Sequence, residues 1–303
     1  MSGALHPSWA PGWTATALRG AGLEPEPLMR FIDATLDEDL RWGGDVTTES
    51  VLGPGLEVVA CVVTRSPGTL AGVPVSALVP CRLAARSGRR VRVEPMAHDG
   101  QEVGEGAQVL RMAGPAREIL TAERAMLNLL GQLSGVATAT AAWVRALRGH
   151  RASVRDTRKT VPGMRVLQKY AVRCGGGLNH RMGLGDAALI KDNHIAAAGG
   201  IAAALRAVRQ HAGGIDCEVE CDTPAQVREA VAAGARLVLL DNMSVQQLAA
   251  SVAVCRPAGV RTEASGTLRL PEAPAVASTG VDYVSVGALT HSAPVLDVGL
   301  DLR

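Results

Sequence analysis

The sequence has very few aromatic residues. Only four Trp, two Tyr and one Phe occur among its 303 residues, although 47% of the chain is hydrophobic. That apolar fraction is ample for a folded core and excludes wholesale disorder. With so few rings, the core must be built mainly from Ala, Val, Leu and Ile. The shortage also argues against nucleic-acid binding, because single strands are commonly held by stacking their bases on aromatic side chains.

The chain also lacks a strong excess of either charge. Its 31 Lys and Arg residues oppose 29 Asp and Glu residues, a net charge of +2, so no global field draws the protein to nucleic acid or membrane. The sequence has no apolar run of about 18 residues and no N-terminal basic segment followed by an apolar core, so we predict neither a membrane span nor a signal peptide. A cytoplasmic location is therefore the default expectation.

Cysteine is sparse as well. Six Cys in a chain of 303 residues are too few for the disulfide framework of a small secreted domain. Cys217 and Cys221 lie four residues apart, but no further His or Cys stands at metal-ligand spacing. We therefore predict no zinc site and expect reduced, structural thiols.

The pattern of apolar residues divides the chain into three parts. Residues 1–23 carry Pro, Gly and scattered Trp without periodicity, and they are predicted to be a loose leader. Residues 24–114 contain short β-rich pieces separated by Gly and Pro, which indicates a small α+β domain onto which the C-terminal residues could pack. Residues 115–303 begin with a long helical pattern, from Pro115 to about Gly149, and form the predicted catalytic domain.

Short apolar runs alternate with amphipathic helical segments from Ala152 onward. The runs are Ser153–Arg155, Ala187–Ile190, Cys217–Val219, Leu237–Leu240, Val260–Thr262 and Tyr283–Val286. Such alternation predicts a parallel sheet built of βαβ units. Because the runs do not separate into two halves, a closed or nearly closed barrel is favoured. A doubly wound open sheet is the alternative, although no G-x-G-x-x-G motif opens the first helix.

Ionisable residues follow most of these runs. In an α/β barrel, ligands bind at the carboxyl ends of the strands, so the residues after each run are candidate ligand contacts. They are Asp156, Arg158 and Lys159, then Lys191 and His194, then Glu220, Asp241 and Glu263 in turn, with Gly287 and Ala288 after the last run. Side chains of this kind at one end of a barrel predict a polar, charge-dense pocket.

The charges are also sorted along the chain. The segment from Asp156 to His194 carries a net charge of +4, whereas isolated carboxylates follow later. A ligand with carboxylates at one end and a metal-chelated phosphate at the other would suit this order. Arg binds planar carboxylates through paired hydrogen bonds, and Glu and Asp supply the oxygen ligands that Mg²⁺ prefers.

Other polar residues of this segment have simpler interpretations. Arg165, Lys169 and Arg173 recur every four residues on a short helix, which predicts a solvated face. Asp186 is interpreted as structural, as is Asp192. For His194 we favour a hydrogen bond at a helix start over a direct ligand role.

A long stretch of the chain resembles a known family. The segment DTRKTVPGMRVLQKYAVRCGGGLNHRMGLGDAALIKDNH resembles the signature of the quinolinate phosphoribosyltransferases. ERAMLNLLGQLSG upstream is similar too, as are EVECDTPAQ, VLLDNMS and VGALTHSAPVLDVGLDL downstream. The resemblance covers roughly residues 28–303 in order. One departure stands at Ser265-Gly266-Thr267, where the family commonly has Ser-Gly-Gly.

The resemblance implies both a fold and a reaction. The implied fold is of the α/β class: an incomplete, open α/β barrel with an N-terminal α+β sandwich domain. The implied enzyme is a glycosyltransferase, more narrowly a pentosyltransferase, that joins quinolinate to phosphoribosyl pyrophosphate with Mg²⁺. Its products are nicotinate mononucleotide, pyrophosphate and CO₂, a step of de novo NAD biosynthesis. A homodimer with shared active sites is also implied, with larger assemblies left open.

The resemblance further assigns roles to individual residues. The predicted quinolinate pocket is lined by Arg158, His180, Arg181 and Lys191, with Arg124 supplied to the pocket of a partner subunit. Lys159 would face phosphoribosyl pyrophosphate, whereas Glu220 and Asp241 would meet the ribose hydroxyls and Mg²⁺. The 5′-phosphate would be held by Ser265, Gly266, Gly287 and Ala288. The predicted catalytic residues are Lys159, Lys191, Glu220 and Asp241.

Two other functions remain open from the sequence. Lys191 at a strand end could be the nucleophile of a Schiff-base lyase, as in barrel aldolases. A covalent adduct trapped by borohydride would reveal that chemistry. Alternatively, the chain could be a non-catalytic relative that binds a phosphorylated ligand. The joint presence of Arg124, His180, Arg181 and Lys191 argues against the second alternative, because a phosphate sensor needs no dicarboxylate clamp.

Overall fold

The computed structural model describes residues 11–303. By its internal contacts the chain forms two compact units. The first holds the chain up to Thr138 together with Val166–Gly175 and Ala293–Arg303, and the second holds Ala139–Arg165 and Gly176–Ser292. The long central helix therefore contributes residues to both units.

Helices and strands follow one another through the described chain. The helices are α1 (Pro11–Gly20), α2 (Pro25–Leu40), α3 (Val46–Val51), α4 (Val73–Arg86), α5 (Ala116–Ala146), α6 (Arg165–Cys174), α7 (Asp192–Ala198), α8 (Ile201–His211), α9 (Pro224–Ala232), α10 (Val245–Cys255), α11 (Ala273–Ser278) and α12 (Ala288–His291). The strands are β1 (Glu57–Thr64), β2 (Gly68–Thr69), β3 (Arg92–Pro95), β4 (Glu102–Val103), β5 (Gln108–Pro115), β6 (Ser153–Arg155), β7 (Ala188–Ile190), β8 (Cys217–Cys221), β9 (Leu237–Asp241), β10 (Arg261–Ser265), β11 (Tyr283–Ser285) and β12 (Val298–Leu302). Among the described residues, no helix has both the length and the apolar character that a membrane span requires.

An antiparallel sheet forms the centre of the first unit. Its strand order is β12-β1-β5-β3, so the last strand of the chain completes a sheet begun more than 200 residues earlier. Helix α2 buries Leu28, Ile32 and Leu36, which recur every four residues on one face. The opposite charges of α2 and α4 meet beside this face, for example Asp33 with Arg82 at 2.5 Å. This unit thus combines an antiparallel sheet with helices.

The predicted leader is partly helical. Helix α1 occupies Pro11–Gly20, and Leu18 and Leu23 are almost completely buried. The expectation of a loose segment is therefore wrong for Pro11–Gly20, whereas residues 1–10 lie outside the described residues. Two apolar positions give no periodic signal in the sequence, and a helix this short depends on tertiary burial rather than on propensity.

Six parallel strands form the sheet of the second unit. Their order is β6-β11-β10-β9-β8-β7, so the first strand pairs with the last and the others follow in chain order. This cyclic order belongs to a barrel with one missing pairing, between β6 and β7, and not to a doubly wound sheet, whose order reverses at a switch point. Leu178 makes an isolated parallel bridge to Arg155 at the β6 edge. The incomplete α/β barrel is thereby confirmed.

Helix α6 differs from its predicted solvated character. Lys169 is completely buried, as is its neighbour Gln168, whereas Arg173 is exposed and donates to the carbonyl of Ala21 at 3.1 Å. The prediction of a common solvated face is therefore wrong at Lys169. The helix is enclosed on more than one side, since Tyr170 is also buried and its hydroxyl donates to Asp99.

The C-terminal segment crosses α5 at two glycines. A Cβ atom on Gly131 would lie 2.8 Å from the carbonyl oxygen of Leu296, and one on Gly135 would overlap the carbonyl oxygen of Pro294. The backbone N–H of Leu296 also donates to the carbonyl of Gly131 at 3.0 Å. These contacts require residues without side chains on this face of the helix.

We predict that Gly135→Ala destabilises the protein by about 1–3 kcal/mol, the usual cost of overpacking a core. Helix propensity alone favours Ala over Gly by about 1 kcal/mol, so the sign of the change tests the contact. Urea unfolding measures it. Gly55→Ala is the control, because nothing lies within 4 Å of a Cβ there. Equal stabilities of the two variants would contradict the packing.

Candidate active site

The carboxyl ends of the barrel strands surround a pocket of about 380 Å³. Its lining residues all belong to the second unit: Thr157, Arg158, Lys159, His180, Arg181, Leu189, Lys191, Glu220, Leu239, Asp241, Glu263, Ser265 and Ser285. The structure therefore brings most of the sequence-predicted residues to one place, and the predicted charge-dense pocket is confirmed. Within the described structure, Gly266, Gly287 and Ala288 do not line it, but they follow Ser265 and Ser285, which do.

The order of the strands sorts the side chains around the pocket. Arg158 and Lys159 follow β6, and Lys191 follows β7, so cations flank the gap between these two strands. Glu220 and Asp241 come from the adjacent strands β8 and β9. Small and hydroxyl residues end β10 and β11. The pocket thus has a cationic, an acidic and a small-residue sector, in that order around the sheet.

Two guanidinium groups share the cationic sector. Burial lowers the pKa of Arg181, and the positive charge of Arg158 lowers it further. Both residues line the same pocket. An anion bound between them would relieve both the repulsion and the loss of hydration. Paired guanidinium groups of this kind fit the planar geometry of carboxylates.

Lys191 connects the cationic sector to the acidic one. Its Nζ donates to Glu220 Oε2 at 2.6 Å, and the Lys191 side chain is 47% exposed. His194, three residues further along the chain, accepts a hydrogen bond from the Lys191 backbone N–H through Nδ1 at 2.9 Å. The predicted helix-start role of His194 is therefore confirmed. Asp186 is structural as predicted, since it accepts the backbone N–H groups of Met182 and Gly183.

Two carboxylates form the acidic sector. Glu220 lies opposite Leu239 in the β8–β9 register, and Asp241 follows on the same side of β9 two residues later. Both line the pocket. Carboxylates on neighbouring strand ends are the hard oxygen donors that Mg²⁺ takes alongside substrate phosphates. The donor set therefore fits a magnesium ion.

Lys159 lies beside the small-residue sector. A Cβ atom on Gly287 would be 3.1 Å from the Lys159 Cδ atom, so the lysine stem passes directly over this glycine. The Thr290 hydroxyl donates to the Lys159 carbonyl at 2.7 Å, which fixes the backbone there. Lys159, which follows β6, thus lies against the loop that follows β11.

Arg124 does not belong to the unit that forms the pocket. It belongs to α5 in the first unit, its side chain is 66% exposed, and its guanidinium is 3.8 Å from Glu123 Oε1. The pocket described above contains no residue of that unit. Supply of Arg124 to the pocket of a partner subunit stays a prediction.

A buried polar network adjoins the pocket, and the sequence analysis missed two of its members, Arg155 and Glu218. Arg155 donates to Glu263 at 2.6 Å and stacks 4.4 Å over the ring of Tyr283. Glu218 accepts from His180 at 2.8 Å. Burial raises the pKa of Glu218 to about 7, which the positive charge of Arg155 partly offsets. Burial also raises the pKa of Glu263.

His180 is held by hydrogen bonds on both ring nitrogens. Nδ1 accepts the backbone N–H of Arg181 at 2.7 Å, so Nε2 carries the proton that is donated to Glu218. The backbone N–H of His180 donates in turn to the buried Asp156 at 2.8 Å. The ring therefore has a fixed tautomer and orientation in the pocket wall.

The spacing of this network would also admit a metal ion. Ligand atoms of His180, Glu218 and Glu263 lie within 4.8 Å of one another. However, Glu263 already accepts a hydrogen bond from Arg155, and the proton on His180 Nε2 is donated to Glu218. The cluster is therefore a hydrogen-bond network. Its sequence signal was the C-E-V-E-C strand, in which Glu218 has the same parity as Glu220 and must face the same side.

Comparison with known proteins shows to which family the chain is similar. The family model for the quinolinate phosphoribosyl transferase N-terminal domain matches residues 45–134, and the C-terminal domain model matches residues 136–301. The chain is 51% identical over 275 residues to a nicotinate-nucleotide pyrophosphorylase (carboxylating) of Mycobacterium leprae, covering 89% of this chain and 95% of that protein. Its identity to the human nicotinate-nucleotide pyrophosphorylase (carboxylating) is 38%, with 92% and 93% covered.

Solved structures give the same result. The nicotinate-nucleotide pyrophosphorylase from Francisella tularensis superposes with a TM-score of 0.87 at 36% identity, covering 93% of this chain and 98% of that one. The fold and the pocket thus define an α/β-barrel protein with an N-terminal α+β domain. The chain belongs to the quinolinate phosphoribosyl transferase family.

We predict that Arg155→Ala destabilises the protein by about 3–5 kcal/mol, because it leaves two buried carboxyl groups without their cation. Arg151→Ala is the matched control four residues earlier. Its side chain is 70% exposed and pairs with Asp282, so removing it should cost less than about 1 kcal/mol. Urea unfolding at pH 8 measures both. Similar losses for the two variants would show that the Arg155 network is not a stabilising one.

Proposed function

We propose that the chain transfers the phosphoribosyl group of phosphoribosyl pyrophosphate to quinolinate and decarboxylates the adduct. The products are nicotinate mononucleotide, pyrophosphate and CO₂. The observation that carries this proposal is the sorting of the pocket into cationic, acidic and small-residue sectors. The cationic sector matches a dicarboxylate, the acidic sector matches a metal-bound ribosyl pyrophosphate, and the small-residue sector matches a 5′-phosphate.

Quinolinate would occupy the cationic sector. Arg158, Arg181 and Lys191 would bind its two carboxylates, with His180 in the pocket wall and Arg124 of a partner subunit completing the set. No Phe, Tyr or Trp lines the pocket in the described residues. Recognition of this aromatic substrate would therefore depend on its charges rather than on ring stacking.

Phosphoribosyl pyrophosphate would occupy the other two sectors. Glu220 and Asp241 would hold Mg²⁺ and face the ribose, and Lys159 would bind phosphate oxygens. The loops at Ser265, Gly266, Gly287 and Ala288 would hold the 5′-phosphate. Bound Mg²⁺ would neutralise charge on the departing pyrophosphate, and the carboxylates would stabilise the positive charge that develops on the sugar.

The chemistry follows from this placement. The pyridine nitrogen attacks the anomeric carbon while the bond from that carbon to the pyrophosphate oxygen breaks. The ring nitrogen becomes cationic, so the adjacent 2-carboxylate can leave as CO₂, its bonding electrons pass to C2, and C2 then takes up a proton. Cations that hold the departing carboxylate too tightly would slow its loss, so the pocket must bind the carboxylates without locking them.

The two alternative functions find less support. Lys191 donates to Glu220 at 2.6 Å and is half-exposed, whereas Schiff-base lysines are activated by apolar burial or by a neighbouring cation. A protein that only binds phosphate would not need the paired Arg158 and Arg181 guanidinium groups. Both features favour transfer to a dicarboxylate.

We further propose a homodimer in which Arg124 reaches the pocket of the partner subunit. The exposed position of Arg124 on α5 supports this. Exposed apolar residues of the first unit also support a protein interface, since Trp42, Val46, Val51 and Leu56 lie within one short stretch and are 45–88% exposed. A cytoplasmic location is proposed from the sequence alone.

The proposed reaction predicts a defined product balance. Purified protein with quinolinate, phosphoribosyl pyrophosphate and Mg²⁺ should release nicotinate mononucleotide and CO₂ in equal amounts, measured by chromatography and by ¹⁴CO₂ release. Nicotinate should not replace quinolinate, because it lacks one carboxylate for the cationic sector. Chelation of the metal should stop turnover. Equal turnover of nicotinate, or no product, would refute the substrate assignment.

The shared site predicts complementation. Arg124→Ala and Glu220→Ala proteins should each be inactive, but a mixed dimer has one site with both residues intact. Random mixing should restore about one quarter of the wild-type sites, because half of the dimers are mixed and each has one intact site. Mixing Glu220→Ala with Asp241→Ala is the control and should restore nothing, since both residues belong to the same chain's pocket. Absence of complementation in dimers shown to be mixed would refute sharing.

A further inference from the structure

Asn242 has an unusual backbone conformation beside the pocket. It follows Asp241 directly, at the carboxyl end of β9, and it is the one non-glycine residue with positive φ, +51°, in the described residues. Asn tolerates this left-handed conformation better than most residues because its short polar side chain can hydrogen-bond locally. The conformation turns the Asn242 side chain back toward the neighbouring strand end.

The side chain of Asn242 joins two sectors of the pocket. Its Nδ2 donates to Asp241 Oδ2 at 2.6 Å, and its Oδ1 accepts the backbone N–H of Thr267 at 3.2 Å. Its own backbone N–H donates to the carbonyl of Ser265 at 3.0 Å. One residue thus connects the carboxylate that ends β9 to the loop Ser265–Thr267 that follows β10.

The loop is shaped to fit this residue. Gly266 has φ +121°, and a Cβ atom there would overlap the Oδ1 atom of Asn242. Gly266 is therefore required both by its backbone conformation and by the approach of Asn242. At Thr267 the contact uses the backbone N–H, which every residue except proline has. This explains how Thr can stand where the family commonly has a second Gly.

We propose that Asn242 is a positioning residue that holds the Asp241 carboxylate and the Ser265–Thr267 loop in one geometry for phosphoribosyl pyrophosphate. This inference rests on the proposed function. Under that function, Asp241 meets the ribose and its metal while the loop holds the 5′-phosphate, so one side chain fixes both ends of the same substrate. The quinolinate contacts Arg158, Arg181 and Lys191 lie on other elements and make no hydrogen bond to Asn242.

The selective effect follows from the loss of the bridge. Without it, the Asp241 carboxylate can rotate freely, and a loop containing Gly266 regains conformational freedom that must be lost again on binding. Because Asn242 is exposed, water competes for both bonds, and we expect about a tenfold weakening of phosphoribosyl pyrophosphate binding.

Asn242→Gly tests this inference with the backbone preserved, because glycine adopts positive φ without strain. We expect KM for phosphoribosyl pyrophosphate to rise about tenfold, with KM for quinolinate changed less than about twofold, at saturating Mg²⁺. Asn242→Asp is the second variant: it keeps the size and tolerates the left-handed conformation, but it cannot donate to Asp241. It should change KM in the same direction.

Gln247→Ala is the matched structural control. Gln247 is the third residue of α10, and its side chain caps the helix start by accepting the backbone N–H of Ser244 at 2.9 Å. Its removal should therefore lower the melting temperature without altering the ratio of the two KM values. Equal increases of both KM values in Asn242→Gly, or an unchanged KM for phosphoribosyl pyrophosphate, would overturn the proposal.

Direct binding separates this inference from the proposed function. Titration calorimetry with phosphoribosyl pyrophosphate and Mg²⁺ should show the same weakening in Asn242→Gly, whether or not quinolinate is turned over. Wild-type protein that binds phosphoribosyl pyrophosphate but forms no product would refute the proposed function alone. Wild-type and Asn242→Gly proteins that bind it equally would refute the positioning role alone.

Discussion

The pairing of β6 with β11 is the constraint on which the site depends. It joins the first strand of the barrel to the last and leaves the single gap between β6 and β7. In this register Arg155 lies beside Ser285, and its guanidinium passes over the Tyr283 ring to reach Glu263 on the next strand. The same pairing brings Lys159 against Gly287. One strand contact therefore sets both the buried network and the approach of the lysine to the last loop.

The charges of the second unit are arranged in two layers. The lower layer is buried and partly self-compensating, since Arg155 and His180 engage Glu263 and Glu218. Removing one member leaves the others in a medium where unpaired charge is costly. The upper layer contains Arg158 and Arg181, and the positive charge of Arg158 lowers the pKa of Arg181. The lower layer fixes His180 in the pocket wall, whereas the upper layer leaves guanidinium groups facing the pocket.

The sequence predicted the repeated strands and the charged strand ends better than single residues that no motif marks. Strand β6 lies at Ser153–Arg155 as predicted, because alternation of apolar runs with amphipathic helices is a repeated signal. Most pocket residues were also found, since strand ends in a barrel converge at one rim. Glu218 was missed because a charge inside a short apolar strand has no motif of its own, and only its parity with Glu220 marks it.

The remaining errors have a common physical cause. Helix α1 and the burial of Lys169 both depend on what the chain packs against, which local patterning does not contain. The left-handed backbone of Asn242 likewise brings its side chain to the Ser265–Thr267 loop only because β9 and β10 are paired. Sequence spacing could place Asp241 and Ser265 at neighbouring strand ends, but not the side chain that ties one to the other.

The scarcity of aromatic residues affects how the pocket can bind an aromatic substrate. A flat aromatic ligand is commonly bound by stacking on aromatic side chains, but no Phe, Tyr or Trp lines the described pocket. Stacking would act on the whole ring and not on the 2-carboxylate, the group whose bond must break. Under the proposed function, contacts to the carboxylates would respond to the chemistry, because the new positive charge on the ring would weaken the attraction of Arg and Lys for the 2-carboxylate. A pocket that binds through charge would thus hold the departing group less strongly.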